Sequence, residues 1–228
     1  MLRSRAITLV VAGPMSLFAY HPLHAVAAPM SGATCHGVHA TKVVSAGSAH
    51  TVRGTSHRDV IKILAAGHVV RAGGGNDLIC GSAGHDTIFG GTGSDDVFAG
   101  AGSDDVNGGR GADDLAGGDG SDDISGNHGN DDEVGGAGDD TLDGDANDDD
   151  LSGGTGDDVE NGGTGDDTLH GGSGSDDVNG DDGDDECDGG GGDDSVDGGN
   201  GDDTEDGGSG DDDVSDSGDD DGGSGIDG

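Results

Sequence analysis

Tryptophan is absent from the 228-residue sequence, tyrosine occurs once and phenylalanine three times, which excludes a conventional globular core built on large aromatic anchors. Basic residues are nearly missing as well. Seven of the eight Lys and Arg lie in residues 1–71 beside the single acid Asp59, whereas residues 72–228 carry 49 acids and one base, Arg110. The net charge of −42 is therefore the sum of a first part of about +6 and a second of about −48. A field of that sign repels nucleic acid and anionic membrane and leaves cations, above all divalent ones, as natural partners. Beyond the N-terminus no apolar run approaches membrane-spanning length. H-E-x-x-H, G-x-S-x-G and P-loop motifs are all lacking. What remains abundant is glycine, at 54 residues, together with acid, a composition that by itself also fits a disordered acidic tail.

Residues 1–27 read as an export signal. A basic start, Met1 to Arg5, precedes a mostly apolar stretch from Ala6 to Ala19 and the small-x-small site Ala25-Val26-Ala27, which places cleavage before Ala28. The apolar stretch is too short to span a bilayer. The expected destination is secreted and extracellular, where calcium is abundant and disulfides persist.

The organising feature is a period of nine. Residues 72–215 divide without insertion into sixteen nonapeptides, from AGGGNDLIC and GSAGHDTIF to GGNGDDTED and GGSGDDDVS. All sixteen sixth positions are Asp, fifteen fourth positions are Gly (Asn147 is the exception) and twelve eighth positions are Ile, Leu or Val. A chain that only had to be soluble would not hold acid and aliphatic residues in separate columns. The consensus G-G-x-G-x-D-x-U-x is the repeat of calcium-binding parallel β-rolls, and over about two thirds of its length the chain resembles the RTX, or hemolysin-type, calcium-binding repeat family.

That resemblance implies an all-β, right-handed parallel β-roll of about eight coils, two nonapeptides per coil, with a degenerate N-terminal cap. Calcium takes six to eight oxygens from carboxylates, carbonyls and water. Glycines at positions one, two and four permit φ > 0 and turn carbonyls inward. Residues seven to nine form a short strand with position eight facing in. In the family each ion sits between turns one coil apart, which implies two ligand columns here. One is Asp77, Asp95, Asp113, Asp131, Asp149, Asp167, Asp185 and Asp203; the other is Asp86, Asp104, Asp122, Asp140, Asp158, Asp176, Asp194 and Asp212. Seven gaps in each column accommodate up to about fourteen Ca2+ ions. Twelve aliphatic side chains are a small reward for ordering so glycine-rich a chain, so folding is expected to depend on the metal.

Several positions depart from the pattern. Position eight is Glu at 133, 160 and 205. A buried bare carboxylate is costly, and a local slip that turns Val134 and Val159 inward offers relief at the first two. The acid-rich units 144–152 and 180–188 are expected to be the most strained, and the coils of 72–125 the stablest. Residues 28–71 read as degenerate repeats or an N-terminal cap, with Val43, Val52, Ile61 and Val70 at position eight. Residues 216–228 read as a frayed partial repeat. The frame stacks His50 on His68 and His39 on His57, a transition-metal pattern that residual degeneracy explains better. Cys187 takes an inward position. Cys35 and Cys80 would pair only if the cap is irregular, because five nonapeptides between them place them on opposite sheets of a regular roll.

The expected activity is therefore non-enzymatic: a secreted calcium-binding protein with a structural or adhesive role, without nucleic-acid partner or membrane span. The alternatives are a disordered acidic polymer that buffers calcium or contacts mineral, and a fragment of a larger RTX protein.

Overall fold

The computed structural model describes residues 34–47 and 50–215; the expected export signal and the partial repeat at 216–228 lie outside the described residues. Each nonapeptide contributes one strand and one turn, and successive units alternate between two facing sheets. Val70, Ile88, Val106, Ile124 and Leu142 are consecutive partners in one sheet. Ile79, Val97, Leu115, Glu133, Leu151, Leu169 and Cys187 are consecutive partners in the other. Two units therefore make one coil, and all neighbours within both sheets are parallel.

Among the described residues each sheet has ten strands and no helix occurs. The roll thus has about ten turns where the regular units alone account for eight. The difference is the degenerate segment, whose strands Lys42–Val44, Thr51–Arg53, Val60–Ile63 and Val69–Gly74 continue both sheets.

The strands are longer than the expected three residues. From Thr87–Thr92 to Glu186–Gly191 each spans six, positions seven to nine and the first three of the next unit. The alternation of a strand then turns two positions inward, position eight and the following position one. Glycine at position one has an ordinary φ and extends the strand; the left-handed backbone is confined largely to positions two and four, as at Gly91 (φ 117°) and Gly93 (φ 119°). At these positions Asn127, Asp145, Asn147 and Asp181 replace glycine with φ of 68–85°, as short polar side chains can.

The core is a single file of side chains between the sheets, chiefly Ile, Leu and Val of position eight, with Cys187 among them. The slip expected around the glutamates does not occur. Glu133 pairs in frame with Leu115 and Leu151, Glu160 with Leu142 and Val178, and both are fully buried, whereas Val134 and Val159 face out at 41% and 37% exposure. A one-residue slip would exchange the faces of a strand locked on both sides by in-frame neighbours.

The frame does shift once, at the N-terminal end. Val44 pairs with Ile63 and Val43 with Lys62, so Val44, and not the expected Val43, joins the core cluster beside Ile61 and Ile63. Before it, the chain leaves the roll. Thr34–Cys35 and Val38–His39 form a small antiparallel ribbon around His36 and Gly37, both with positive φ. Cys35 is bonded to Cys80 with a Cα–Cα distance of 5.7 Å, and the two pack with Val60, Leu78, Ala40 and Phe98 in a second cluster. The bridge forms because Cys35 is not a roll residue. His39 belongs to this ribbon too, so the expected His39–His57 stack is not made.

Candidate metal centre

Strand register carries the position-six aspartates to the same point of every turn. They lie in two columns, and those from Asp77 to Asp194 are at most 4% exposed. Each column is a ladder. The backbone N–H of Asp77 donates to Asp95 Oδ1 (2.8 Å), that of Asp95 to Asp113 Oδ1 (2.8 Å) and that of Asp104 to Asp122 Oδ1 (2.7 Å). The rungs continue to Asp185–Asp203 (2.8 Å) and Asp194–Asp212 (3.1 Å). The degenerate coils supply the first rungs, from the N–H of Asp59 to Asp77 Oδ1 and from that of His68 to Asp86 Oδ1.

The other carboxylate oxygen has no such partner. Oδ2 is buried without a hydrogen bond in Asp77 and in every position-six aspartate from Asp95 to Asp194. An ionised carboxylate with one oxygen buried and bare is a costly arrangement that invites a counter-charge. A second oxygen lies close by. A Cβ placed on Gly90 would sit 2.5 Å from Asp95 Oδ2 and 2.7 Å from the carbonyl oxygen of Gly108, one coil on. The same pair recurs at Gly135 with Asp140 Oδ2 and Gly153 O (2.6 and 2.8 Å), and at Gly144 with Asp149 Oδ2 and Gly162 O (both 2.7 Å). Position one therefore keeps room beside a carboxylate and a carbonyl, the hard-oxygen donors that calcium selects. Alanine occupies position one in two of the early coils, at Ala72 and Ala99, both fully buried.

Burial governs the protonation of the columns. Removal from water pushes Asp104, Asp113, Asp140, Asp158, Asp167 and Asp185 up to about 6, and Asp95 and Asp149 to about 7, with the amide bond to Oδ1 opposing the rise. At most of these positions, neighbours along the ladder add like-charge repulsion. A divalent cation beside Oδ2 would reverse both effects.

Asp86 differs. Its Oδ2 accepts from the Ser82 N–H (3.0 Å) and Ser82 Oγ (2.8 Å). Asp59, in the degenerate coil, is served likewise by Thr55 N–H (2.7 Å) and Oγ1 (3.0 Å), and also by Lys42 Nζ (2.9 Å). These donors and the Lys42 charge outweigh burial and hold the Asp59 carboxyl below its usual range. The signal was in the sequence: a hydroxyl residue at position two, four before the aspartate, where the following units carry Gly, Asn or Asp.

No group of three or more His, Cys, Asp or Glu side chains gathers around a common point among the described residues, so an ion in either column would draw on backbone carbonyls as well as carboxylate. The His50 and His68 rings stand 6.2 Å apart, and His68 Nδ1 is already engaged with the Ala65 carbonyl at 2.6 Å.

Fold and columns together define a parallel β-roll with oxygen-lined seats between its coils. The family model described as the RTX calcium-binding nonapeptide repeat matches residues 71–106, 107–132, 134–160, 161–187 and 188–214, and the chain belongs to that family of calcium-binding repeats. No curated protein matches it.

Proposed function

We propose that this is a secreted protein that folds on binding calcium and acts as a structural or adhesive module, without catalysis. The observation that carries this reading is the unbroken run of buried aspartates whose Oδ2 lacks a donor from Asp95 to Asp194. Asp77 through Asp203 in one column and Asp104 through Asp212 in the other would hold the ions, each with the position-one carbonyl of the next coil; Asp86, already served by Ser82, would leave one of the fourteen gaps unfilled. Calcium supplies positive charge to carboxylates that otherwise repel one another in a dry place. The repeated backbone does the rest: it aligns the carboxylates, keeps one oxygen on an amide and excludes water from the other.

A non-catalytic role is supported by the arrangement of the acids, which form long columns instead of gathering around a cleft. Export is supported by the basic, apolar and small-x-small segments of residues 1–27. Among the described residues no helix is long and apolar enough to cross a membrane.

The test is far-UV circular dichroism of the full chain during a calcium titration, with magnesium as control. A gain of β signal at calcium concentrations up to the millimolar range, not reproduced by magnesium, is expected. An unchanged spectrum up to about 10 mM calcium would leave the acidic-polymer reading in its place.

A further inference from the structure

The geometry points to a second kind of ion seat inside the roll, in which Glu133 and Glu160 join Asp131 and Asp158 as paired carboxylate ligands of a divalent cation. This rests on the aspartate columns being ion seats and adds two ligands outside the repeat consensus. Both glutamates are fully buried, and beyond the backbone N–H of Gly126 beside Glu133 and of Gly153 beside Glu160 their oxygens meet no donor. Slippage would have hidden Val134 and Val159 and freed both acids into water, yet the strands keep their frame. A single amide beside each does not neutralise a buried carboxylate, so something else in the interior must offset the two charges.

Their surroundings name what it is. The charged neighbours of Glu133 are Asp131, Asp149 and Asp143, and those of Glu160 are Asp158 and Asp176, all acids. The sole Lys or Arg of the regular repeats is Arg110, an exposed residue more than one coil from Glu133 and more than two from Glu160 along the chain, so no side-chain cation is at hand. At Gly126, Glu133 Oε1 lies 2.7 Å from the place a Cβ would take, and Asp131 Oδ2 reaches the same place. At Gly135 and Gly144 that second oxygen is the carbonyl of the next coil; here it is a carboxylate. Glu205 Oε1 approaches Gly198 in the same way, at 2.5 Å, and Glu160, reaching back seven residues, meets the backbone N–H of Gly153, where Asp158 Oδ2 lies 2.6 Å from the place a Cβ would take. Two carboxylates neutralise one divalent ion, which makes the seat compatible with an apolar column, and an added charged ligand tightens calcium sites.

The experiment is calcium binding to the full chain by flow dialysis, comparing wild type with E133Q/E160Q, E133L/E160L and the exposed-site control E186Q. The two double variants are expected to lose two ions from the tightest class, with those seats needing on the order of tenfold more free calcium, and E186Q to match wild type. Glutamine keeps the volume of the side chain and leucine matches the flanking Leu115 and Leu151, so circular dichroism at saturating calcium should be unchanged. Glutamate occurs only at 133, 160, 186 and 205, so carbon-13 glutamate labelling gives a direct infrared readout. A calcium-dependent carboxylate shift lost in E133Q/E160Q supports the seat. Isotherms superimposable on wild type, with a protonated-carboxyl band persisting at saturating calcium, overturn it. A wild-type chain that takes up no calcium at all removes the aspartate columns first and this seat with them.

Discussion

Lowering the pH of the calcium-free chain should do part of the work of the metal. The carboxyls at Asp95 and Asp149 are raised to about 7 and those at Asp104, Asp113, Asp140, Asp158, Asp167 and Asp185 to about 6. In the unfolded chain an aspartate titrates near 3.9. A raised carboxyl means that the folded state binds the proton more tightly, so stability grows as pH falls through the folded value and is absent above it. Between pH 8 and pH 5 a group at 7 contributes about 2.7 kcal/mol and one at 6 about 1.4 kcal/mol; for these eight, halved for residual solvent screening, the total is on the order of 7 kcal/mol. That is comparable with the net stability of an ordinary domain. Far-UV circular dichroism in chelator, at low ionic strength and stepped from pH 8 to pH 5, should show β structure appearing below about pH 6.5 and vanishing on return to pH 8. The floor of pH 5 keeps the chain above its pI of about 4.1. Equal disorder at both ends, or more structure at pH 8, would refute the idea that buried, unpaired carboxylates oppose the empty roll.

Three other outcomes follow from single positions. Ser82→Gly removes the hydroxyl that serves Asp86 Oδ2 and should add one calcium ion to the stoichiometry measured by flow dialysis. Gly154→Ala places a methyl at φ 110° against the Gly136 carbonyl and should destabilise the calcium-loaded roll by about 2–3 kcal/mol, read as a higher calcium midpoint, whereas Gly154→Asn should be milder because the same position tolerates Asn127 at φ 77°. Reduction, or Cys35→Ser, should release the ribbon from Val60 and Phe98, lowering Tm at saturating calcium by an amount equivalent to about 2–5 kcal/mol; hydrogen exchange should locate the loss before Cys80 and leave later coils protected.

The parts of the molecule that repeat were legible from the sequence because a period of nine states both the coil and its aspartate column: Asp77 to Asp212 all take the same place in their turns. What stayed hidden lacked a periodic mark. Glycine at position one has no side chain to declare a face, so its inward place in a six-residue strand was invisible. The inward glutamates were misjudged from local cost alone, since the register of Glu133 is set by Leu115 and Leu151 on either side and not by its own preference. The ribbon at Cys35 and the shifted pairing of Val44 with Ile63 lie where the repeat has decayed and only tertiary contact decides. Ser82 was readable in principle, four residues ahead of Asp86, but one serine in a column of glycines looks like noise until its hydroxyl is seen to occupy the carboxylate.

The aspartate rungs have a mechanical corollary. Because each carboxylate grips the amide of the preceding coil, neighbouring coils are joined along the long axis by side chain as well as by sheet. A roll stretched from its ends should therefore yield as a zipper does, one tooth at a time, each release exposing a single eighteen-residue loop. On the proposed reading, withdrawal of calcium should let the teeth part at lower load, so that the stiffness of the roll follows the ion concentration around it.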